Sequence, residues 1–134
     1  MEIVRPCFLV IDREYSGSIS TRKLVIETAK FNVLTAYSAA EGLEMLRRFP
    51  AVDGVVMNAE MHDMHCDELI ATLRQIRPTA PVVVVGRAPD SECSAADHTV
   101  ETFEPGELLA VLQGLCPQQT EAVEKRNEEL SEHE

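Results

Sequence analysis

Short apolar runs alternate with segments of helical periodicity through residues 1–116. Continuous apolar runs, such as the valines of 82–85, leave no polar face for water and are typical of strands covered by helices on both sides. The predicted strands cover residues 7–11, 32–37, 52–57, 81–86 and 99–103. Strands of this buried kind predict a parallel sheet.

Apolar residues recur at helical spacing between these strands. Ser38 and Glu41 form a capping box at the start of one helix, and Pro105 stands at a helix-start position. The predicted helices cover 18–30, Ser38 to about Arg48, a segment through Leu69–Ile76 that stops near Pro78, and Pro105 to Pro117. Residues 87–98 are so interrupted by polar and turn residues that at most a turn or two is expected.

The alternation of strands and helices predicts one doubly wound α/β domain over 1–116. Residues 117–134 are strongly polar and contain six acidic and two basic residues. We expect them to form an acidic, partly helical tail or linker. The alternative is that they form the opening of a coiled coil. Too few heptads are present to decide between the two.

The chain is acidic overall. It has 23 acidic and 12 basic residues among 134, a net charge of -11, and 45% hydrophobic residues. Binding to nucleic acid requires a basic face, and the sequence has no Lys/Arg stripe. It has neither a transmembrane-length apolar run nor a secretion signal. We therefore expect a cytoplasmic protein that binds a protein partner, with no nucleic acid and no membrane, and we leave a homodimer open.

Four cysteines are widely separated along the chain. They are Cys7, Cys66, Cys93 and Cys116, and none forms a C-x-x-C pair. This spacing favours scattered, buried thiols in a reducing compartment over a disulfide framework. We therefore expect free thiols.

Asn58 is an amide at a position where chemistry is expected. It closes the apolar run of the third strand, and the carboxyl ends of parallel strands are where ligands bind in open α/β sheets. An amide neither transfers protons as an acid or base nor attacks phosphorus as an aspartate does. The residue therefore indicates binding without catalysis.

The order of strands, helices and polar residues resembles a receiver domain of bacterial two-component response regulators. The resemblance covers residues 7–116. Its more specific segments are Phe8–Asp12, Thr35–Leu43, Val55–Met64, Ala80–Val85 and Phe103–Leu109. It implies a flavodoxin-like α/β fold with five strands in the order 2-1-3-4-5.

The resemblance also implies a phosphorylation pocket. In the family, an aspartate ending the third strand accepts a phosphoryl group from a histidine kinase. Two acids after the first strand hold Mg²⁺, a Thr or Ser follows the fourth strand, and a Lys follows the fifth. The corresponding residues here are Asp12 and Arg13, Asn58, Gly86 and Glu101. Only Asp12 keeps the family's residue type, so a degenerate phosphorylation pocket is implied.

The charge of this pocket predicts weak or absent Mg²⁺ binding and no other cofactor. Asp12, Arg13, Asn58 and Glu101 together carry -1, against about -2 in a working pocket. We hypothesise that Arg13 stands where the metal would, with charge-assisted hydrogen bonds to Asp12 or Glu101 and the Asn58 oxygen as a further partner. The alternative is that Arg13 points to solvent and Glu101 is an ordinary acid at the rim.

The connection before the last strand is short. Fourteen residues separate Gly86 from Glu101, fewer than family members usually have. The fourth helix is therefore expected to be shortened or missing. In most receivers that helix belongs to the surface used for output and dimerisation.

Two other functions remain open. His62, Asp63, His65 and Cys66 bring the ligand types that zinc prefers into one loop, but without a recognised zinc spacing, so Asp12, His62, His65 and Cys66 are weak metal candidates. The alternatives are a metal or redox sensor through His62, His65 and Cys66, and a phosphoacceptor that uses Asp12 or Asp63. Our main hypothesis is an atypical receiver-like signalling domain, without enzymatic activity, that binds a protein partner independently of phosphorylation.

Overall fold

The computed structural model describes residues 6–12, 21–28, 30–61, 63–86, 93–100 and 105–116. Five parallel strands form one sheet in the order β2-β1-β3-β4-β5. They are β1 (Cys7–Ile11), β2 (Asn32–Ala36), β3 (Gly54–Asn58), β4 (Val82–Val85) and β5 (His98–Val100). Leu9 of β1 pairs with Leu34 of β2 on one side and Val55 of β3 on the other. The fully apolar strands therefore lie inside the sheet, as their sequences predict.

The described residues contain four helices. They are α1 (Thr21–Thr28), α2 (Ala39–Arg48), α3 (Cys66–Ile76) and α4 (Pro105–Leu115). The predicted cap of α2 is confirmed, because Ser38 Oγ accepts a hydrogen bond from the N–H of Glu41 at 3.0 Å. No helix within these described ranges has the length and apolar character needed to cross a membrane.

The sheet separates two apolar layers. Leu9 and Ile11 of β1 pack in the layer that contains α2 and α3, whereas Phe8 and Val10 pack in the layer that contains α1 and α4. All four side chains are fully buried. Successive side chains of a strand point to opposite faces, so β1 is covered on both sides. The predicted doubly wound architecture and its strand order are confirmed.

Helix α2 packs closely against the end of β1 at Gly42. A Cβ atom at this position would lie 2.5 Å from Cδ1 of Ile11. Glycine is a poor helix former, so its presence within α2 is explained by this contact. The close approach brings the start of α2 near the carboxyl end of the sheet.

The connection between β4 and β5 is the least regular described part of the fold. Residues 93–95 form a turn, and no helix occurs in 93–97, the described part of this connection. Strand β5 begins one residue before the predicted range of 99–103, and residues 101–103 lie outside the described residues. The predicted tail over 117–134 lies outside them as well.

Candidate functional site at the carboxyl edge of the sheet

Three residues of the predicted pocket lie at one edge of the sheet. Asp12 follows β1, Asn58 ends β3 and Gly86 follows β4. The N–H of Asp12 donates to the carbonyl of Ala36 at 2.9 Å, and the N–H of Gly86 donates to the carbonyl of Val100 at 2.8 Å. Neighbouring strands thus hold both flanking residues in place at the edge where open α/β sheets bind ligands.

Asn58 and Asp12 are joined by a hydrogen bond between their side chains. Nδ2 of Asn58 donates to Oδ1 of Asp12 at 3.0 Å. Asp12 is only 3% exposed. A buried carboxylate requires hydrogen-bond donors, and the amide nitrogen supplies one that an ionised aspartate at position 58 would lack. The amide therefore stabilises the Asp12 carboxylate directly.

The oxygen of the Asn58 amide has its own partner. Oδ1 accepts a hydrogen bond from the N–H of Glu60, two residues further along the chain, at 2.9 Å. This is the local contact by which asparagine stabilises turns. The two bonds together direct the oxygen toward the loop backbone and the nitrogen toward Asp12. Arg13, the hypothesised further partner of this oxygen, lies outside the described residues. The partner that the structure describes is the N–H of Glu60.

Gly86 directly follows β4, where the resemblance implies a Thr or Ser. Its φ of +105° is a backbone conformation that residues with side chains rarely adopt. A Cβ there would lie 3.6 Å from the Cβ of Ala59, which is an ordinary contact. The backbone conformation, rather than lack of space, therefore disfavours a hydroxyl residue at this position.

The described pocket residues fit Mg²⁺ poorly. This ion prefers several oxygen ligands in near-octahedral geometry. At position 58 an amide nitrogen faces Asp12, and Gly86 has no side-chain oxygen to offer. Of the three pocket residues that the structure describes, only Asp12 has a carboxylate. The other two residues of the predicted pocket, Arg13 and Glu101, lie outside the described ranges.

Asp63, the second candidate for a displaced phosphoacceptor, caps the start of α2. Its Oδ1 accepts a hydrogen bond from the N–H of Ala39 at 3.0 Å, and its Oδ2 accepts one from the N–H of Ala40 at 3.1 Å. Amides in the first turn of a helix have no partner within the helix and attract anions. Sequence reasoning missed this role because the bonded amides lie 24 and 23 residues earlier in the chain.

The prediction of free cysteines is wrong for two of the four. Cys66 and Cys93 form a disulfide, with their Cα atoms 5.2 Å apart. The spacing of these cysteines in the sequence does not predict the pair. A disulfide requires a short distance between the two Cα atoms, and only the folded chain establishes that distance. Cys7 and Cys116 are free, as predicted.

The disulfide alters the candidate metal site. While it is bonded to Cys93, Cys66 has no thiolate to offer a metal. His65 is exposed, and His62 lies outside the described residues. Over the residues that the structure describes, no three His, Cys, Asp or Glu side chains are grouped as metal ligands. The nearby loop does form an open cleft of about 200 Å³, lined by Met61, Asp63, Met64, His65 and Glu68.

The surroundings of both free thiols disfavour the thiolate form. Burial raises the pKa of both Cys7 and Cys116, and the nearby carboxylate of Asp53 raises each pKa further. Asp53 is held beside Cys7 because its Oδ2 accepts a hydrogen bond from the Cys7 N–H at 2.8 Å. A raised pKa keeps a thiol protonated at neutral pH and suppresses its nucleophilicity.

Sequence comparison finds relatives among transcriptional regulators. No protein-family model matches the chain. Transcriptional regulatory protein GlrR of Escherichia coli strain K12 is 30% identical over 90 residues, which is 65% of this chain and 20% of that protein. Transcriptional regulatory protein QseF of Escherichia coli O157:H7 matches with the same values. The chain therefore spans about a fifth of the length of these curated relatives.

Structural comparison shows the fold. The CheY-like receiver domain protein of Methanospirillum hungatei JF-1 superposes with a TM-score of 0.71 at 20% identity, over 92% of this chain and 99% of that one. The receiver domain of sensor histidine kinase PA1611 from Pseudomonas aeruginosa PAO1, with a magnesium ion in its active site cleft, gives 0.72 at 12% identity, over 84% and 98%. The chain has the flavodoxin-like fold of CheY-like receiver structures.

Proposed function

We propose that this chain is a receiver-like module of two-component signalling that binds a protein partner without phosphorylation of an aspartate. The hydrogen bond from Asn58 to Asp12 carries the proposal, because it occupies the Asp12 carboxylate with an amide at the position that the resemblance assigns to the phosphoacceptor. The module has no enzymatic activity of its own.

The first support is the missing nucleophile. Phosphoryl transfer to a receiver requires an anionic carboxylate oxygen that attacks phosphorus. The Asn58 oxygen belongs to a neutral amide and accepts a hydrogen bond from the Glu60 N–H. Both properties lower its nucleophilicity, so position 58 does not form an acyl phosphate.

The second support is electrostatic. The PA1611 receiver holds magnesium in its active site cleft. Here the Asn58 amide already donates to Asp12, and the residue after Asp12 is the cation Arg13. A dication gains less from a carboxylate that has such neighbours, because the local negative potential is reduced. Mg²⁺ binding is accordingly weak or absent.

The third support concerns the partner. A net charge of -11 disfavours contact with nucleic acid and with anionic membranes. The matched relatives are transcriptional regulatory proteins about five times as long as the matched segment. The partner is therefore a signalling protein or a further domain of the same polypeptide.

The test is incubation of the 134-residue chain with acetyl phosphate and Mg²⁺, followed by intact-mass spectrometry. We expect no phosphoryl adduct, and no beryllofluoride complex in a parallel sample. A receiver with an intact acceptor aspartate, treated in the same tubes, confirms that the donor is active.

The competing function is a phosphoacceptor that uses a displaced carboxylate. An adduct that disappears in Asp12→Asn or in Asp63→Asn would establish it and overturn the proposal. Asp53→Asn is the matched control, because this acid lies at the opposite end of the sheet, beside the start of β1.

A further inference from the structure

We propose that the Cys66–Cys93 disulfide is a reversible redox site that controls the β4–β5 turn, defined as residues 93–97, through exchange with a cellular dithiol. The chemistry takes place on sulfur. The exchange therefore does not depend on whether the domain is phosphorylated, and the acetyl phosphate experiment does not bear on it.

The disulfide fastens the β4–β5 turn to the start of α3. Cys66 is the first residue of α3 and is only 2% exposed. Cys93 opens the turn and is half-buried. The bond closes a loop with a sequence separation of 27, which contains most of α3 and the whole of β4. An incoming thiol therefore reaches Cys93 more readily than Cys66.

Of the three described polar contacts that also hold the turn against α3, two are exposed to water and the one from the Ala95 N–H is half-buried. Asp67 accepts hydrogen bonds from Ser94 Oγ at 3.1 Å and from the N–H of Ala95 at 3.0 Å. Arg74 forms a salt bridge with Asp97 at 3.1 Å, with side chains 35% and 42% exposed. Such contacts contribute little because water competes for both partners. Ala95 and Ala96 are only partly buried against the core, so the disulfide is the strongest of these restraints on the beginning of the turn.

The end of the turn has a separate anchor. Asp97 Oδ2 accepts a hydrogen bond from the N–H of Val82 at 2.7 Å, and the N–H of Asp97 donates to the carbonyl of Val82 at 3.0 Å. These bonds attach the turn to the start of β4. Reduction of the disulfide should therefore release residues 93–96 while β5 stays paired.

The turn also contacts the loop that follows Asn58. Cys93 Sγ lies 3.9 Å from the carbonyl oxygen of Ala59. A disulfide sulfur carries no hydrogen, but a reduced thiol can donate one to this oxygen. The redox state of Cys93 thus changes a contact one residue away from Asn58.

Exchange with the cellular dithiol proceeds in two steps. A thiolate of the cellular dithiol attacks Cys93 Sγ, the Cys66–Cys93 bond breaks, and Cys66 leaves as a thiolate that takes up a proton. The second thiol of the carrier then attacks the carrier sulfur of the mixed disulfide and releases Cys93. Two electrons and two protons pass to the protein, and the dithiol becomes a disulfide. The reverse sequence reforms the cross-link.

The test combines redox titration with hydrogen exchange on the 134-residue chain. Mixtures of reduced and oxidised glutathione set the redox potential of the buffer. N-ethylmaleimide then alkylates the free thiols, and mass spectrometry counts the alkylated cysteines. We expect Cys66 and Cys93 to titrate together while circular dichroism stays constant. Amide exchange at 94–96 should speed up about tenfold or more on reduction, because a closed loop restrains local opening. Exchange in β3 and β5 should not change.

Two variants make the result decisive. Cys93→Ser should show fast exchange at 94–96 in oxidising buffer, like the reduced wild type. Cys7→Ser removes a free thiol and should keep the full redox response. The proposal is overturned if the pair stays reduced in oxidised glutathione, if reduction needs denaturant, or if exchange at 94–96 is equal in both states.

Discussion

Asn58 sets the hydrogen bonding at the carboxyl end of β3. Asn58 ends β3 with both ends of its amide bonded, the nitrogen to Asp12 and the oxygen to the Glu60 N–H. An aspartate in the same place would direct a second carboxylate at one that is only 3% exposed. With an amide at position 58, the end of β3 offers no anionic oxygen there, and no cation is needed between two acids.

The substitution Asn58→Asp should destabilise the protein. We expect a loss of about 1–3 kcal/mol in the free energy of unfolding in metal-free buffer at neutral pH, because the bond to Asp12 is replaced by repulsion. Added Mg²⁺ should recover part of the loss in this variant and have little effect on the wild type. Urea unfolding with and without Mg²⁺ measures both quantities.

The double variant Asp12→Asn with Asn58→Asp serves as the control. It restores one amide and one carboxylate with their positions exchanged, so it should be more stable than Asn58→Asp alone and should lose the response to Mg²⁺. Equal stability of the wild type and Asn58→Asp in metal-free buffer would show that the hydrogen bond contributes nothing.

Sequence reasoning located the rim residues but not all their partners. Asp12 and Asn58 each stand at the end of a continuous apolar run. The end of such a run predicts the end of a buried strand, so both residues can be assigned to the carboxyl edge of the sheet. The bond between Cys66 and Cys93 joins residues far apart in the chain, and no local pattern encodes their distance in the fold. The left-handed backbone of Gly86 likewise has no local signal, since the sequence at this position shows only that a hydroxyl side chain is missing.

At the scale of elements, α2 is held at its start from two directions. Ser38 caps it from within its own segment, and Asp63 caps it from the loop between β3 and α3. The loop that begins at Asn58 is thereby attached to a helix that packs tightly on β1 through Gly42. This arrangement makes Asp63 a structural acid.

The substitution Asp63→Ala should lower the free energy of unfolding by about 1–2 kcal/mol, because two first-turn amides lose their acceptors. Asp63→Asn keeps one oxygen acceptor and should lose less. The midpoint of urea unfolding at an unchanged slope gives the difference. Ser38→Ala is the matched control at the same helix end, and an Asp63→Ala midpoint equal to that of the wild type would exclude the cap in solution.

The central elements were predicted more accurately than the edge of the sheet. The strands β1 and β4 are apolar throughout, and β3 is apolar except for Asn58 at its end, so burial on both faces could be predicted from residue type alone. In β5, His98 and Thr99 are exposed and only Val100 is buried. A three-residue edge strand with one buried side chain has almost no pattern to recognise, and its position depends on β4 beside it.

For the whole molecule, the excess of negative charge is the dominant long-range interaction. The chain has 23 acidic and 12 basic residues. The salt bridges described here involve side chains at least 32% exposed, for example Lys23–Glu27 and Arg74–Asp97. Exposed ion pairs contribute little to the free energy of unfolding. The weakening of these pairs by salt should therefore be outweighed by the weaker repulsion among the excess acidic groups.

Sodium chloride should therefore stabilise the protein at neutral pH. We expect the melting temperature to rise by about 2–5 °C between roughly 0.02 and 0.3 M NaCl, as the screening length falls below the spacing of the surface charges. The control is the same pair of measurements near pH 5, close to the sequence pI of about 4.7, where the net charge is small and the increase should shrink. A melting temperature that falls with salt at neutral pH would mean that the ion pairs, and not the net charge, dominate the electrostatics.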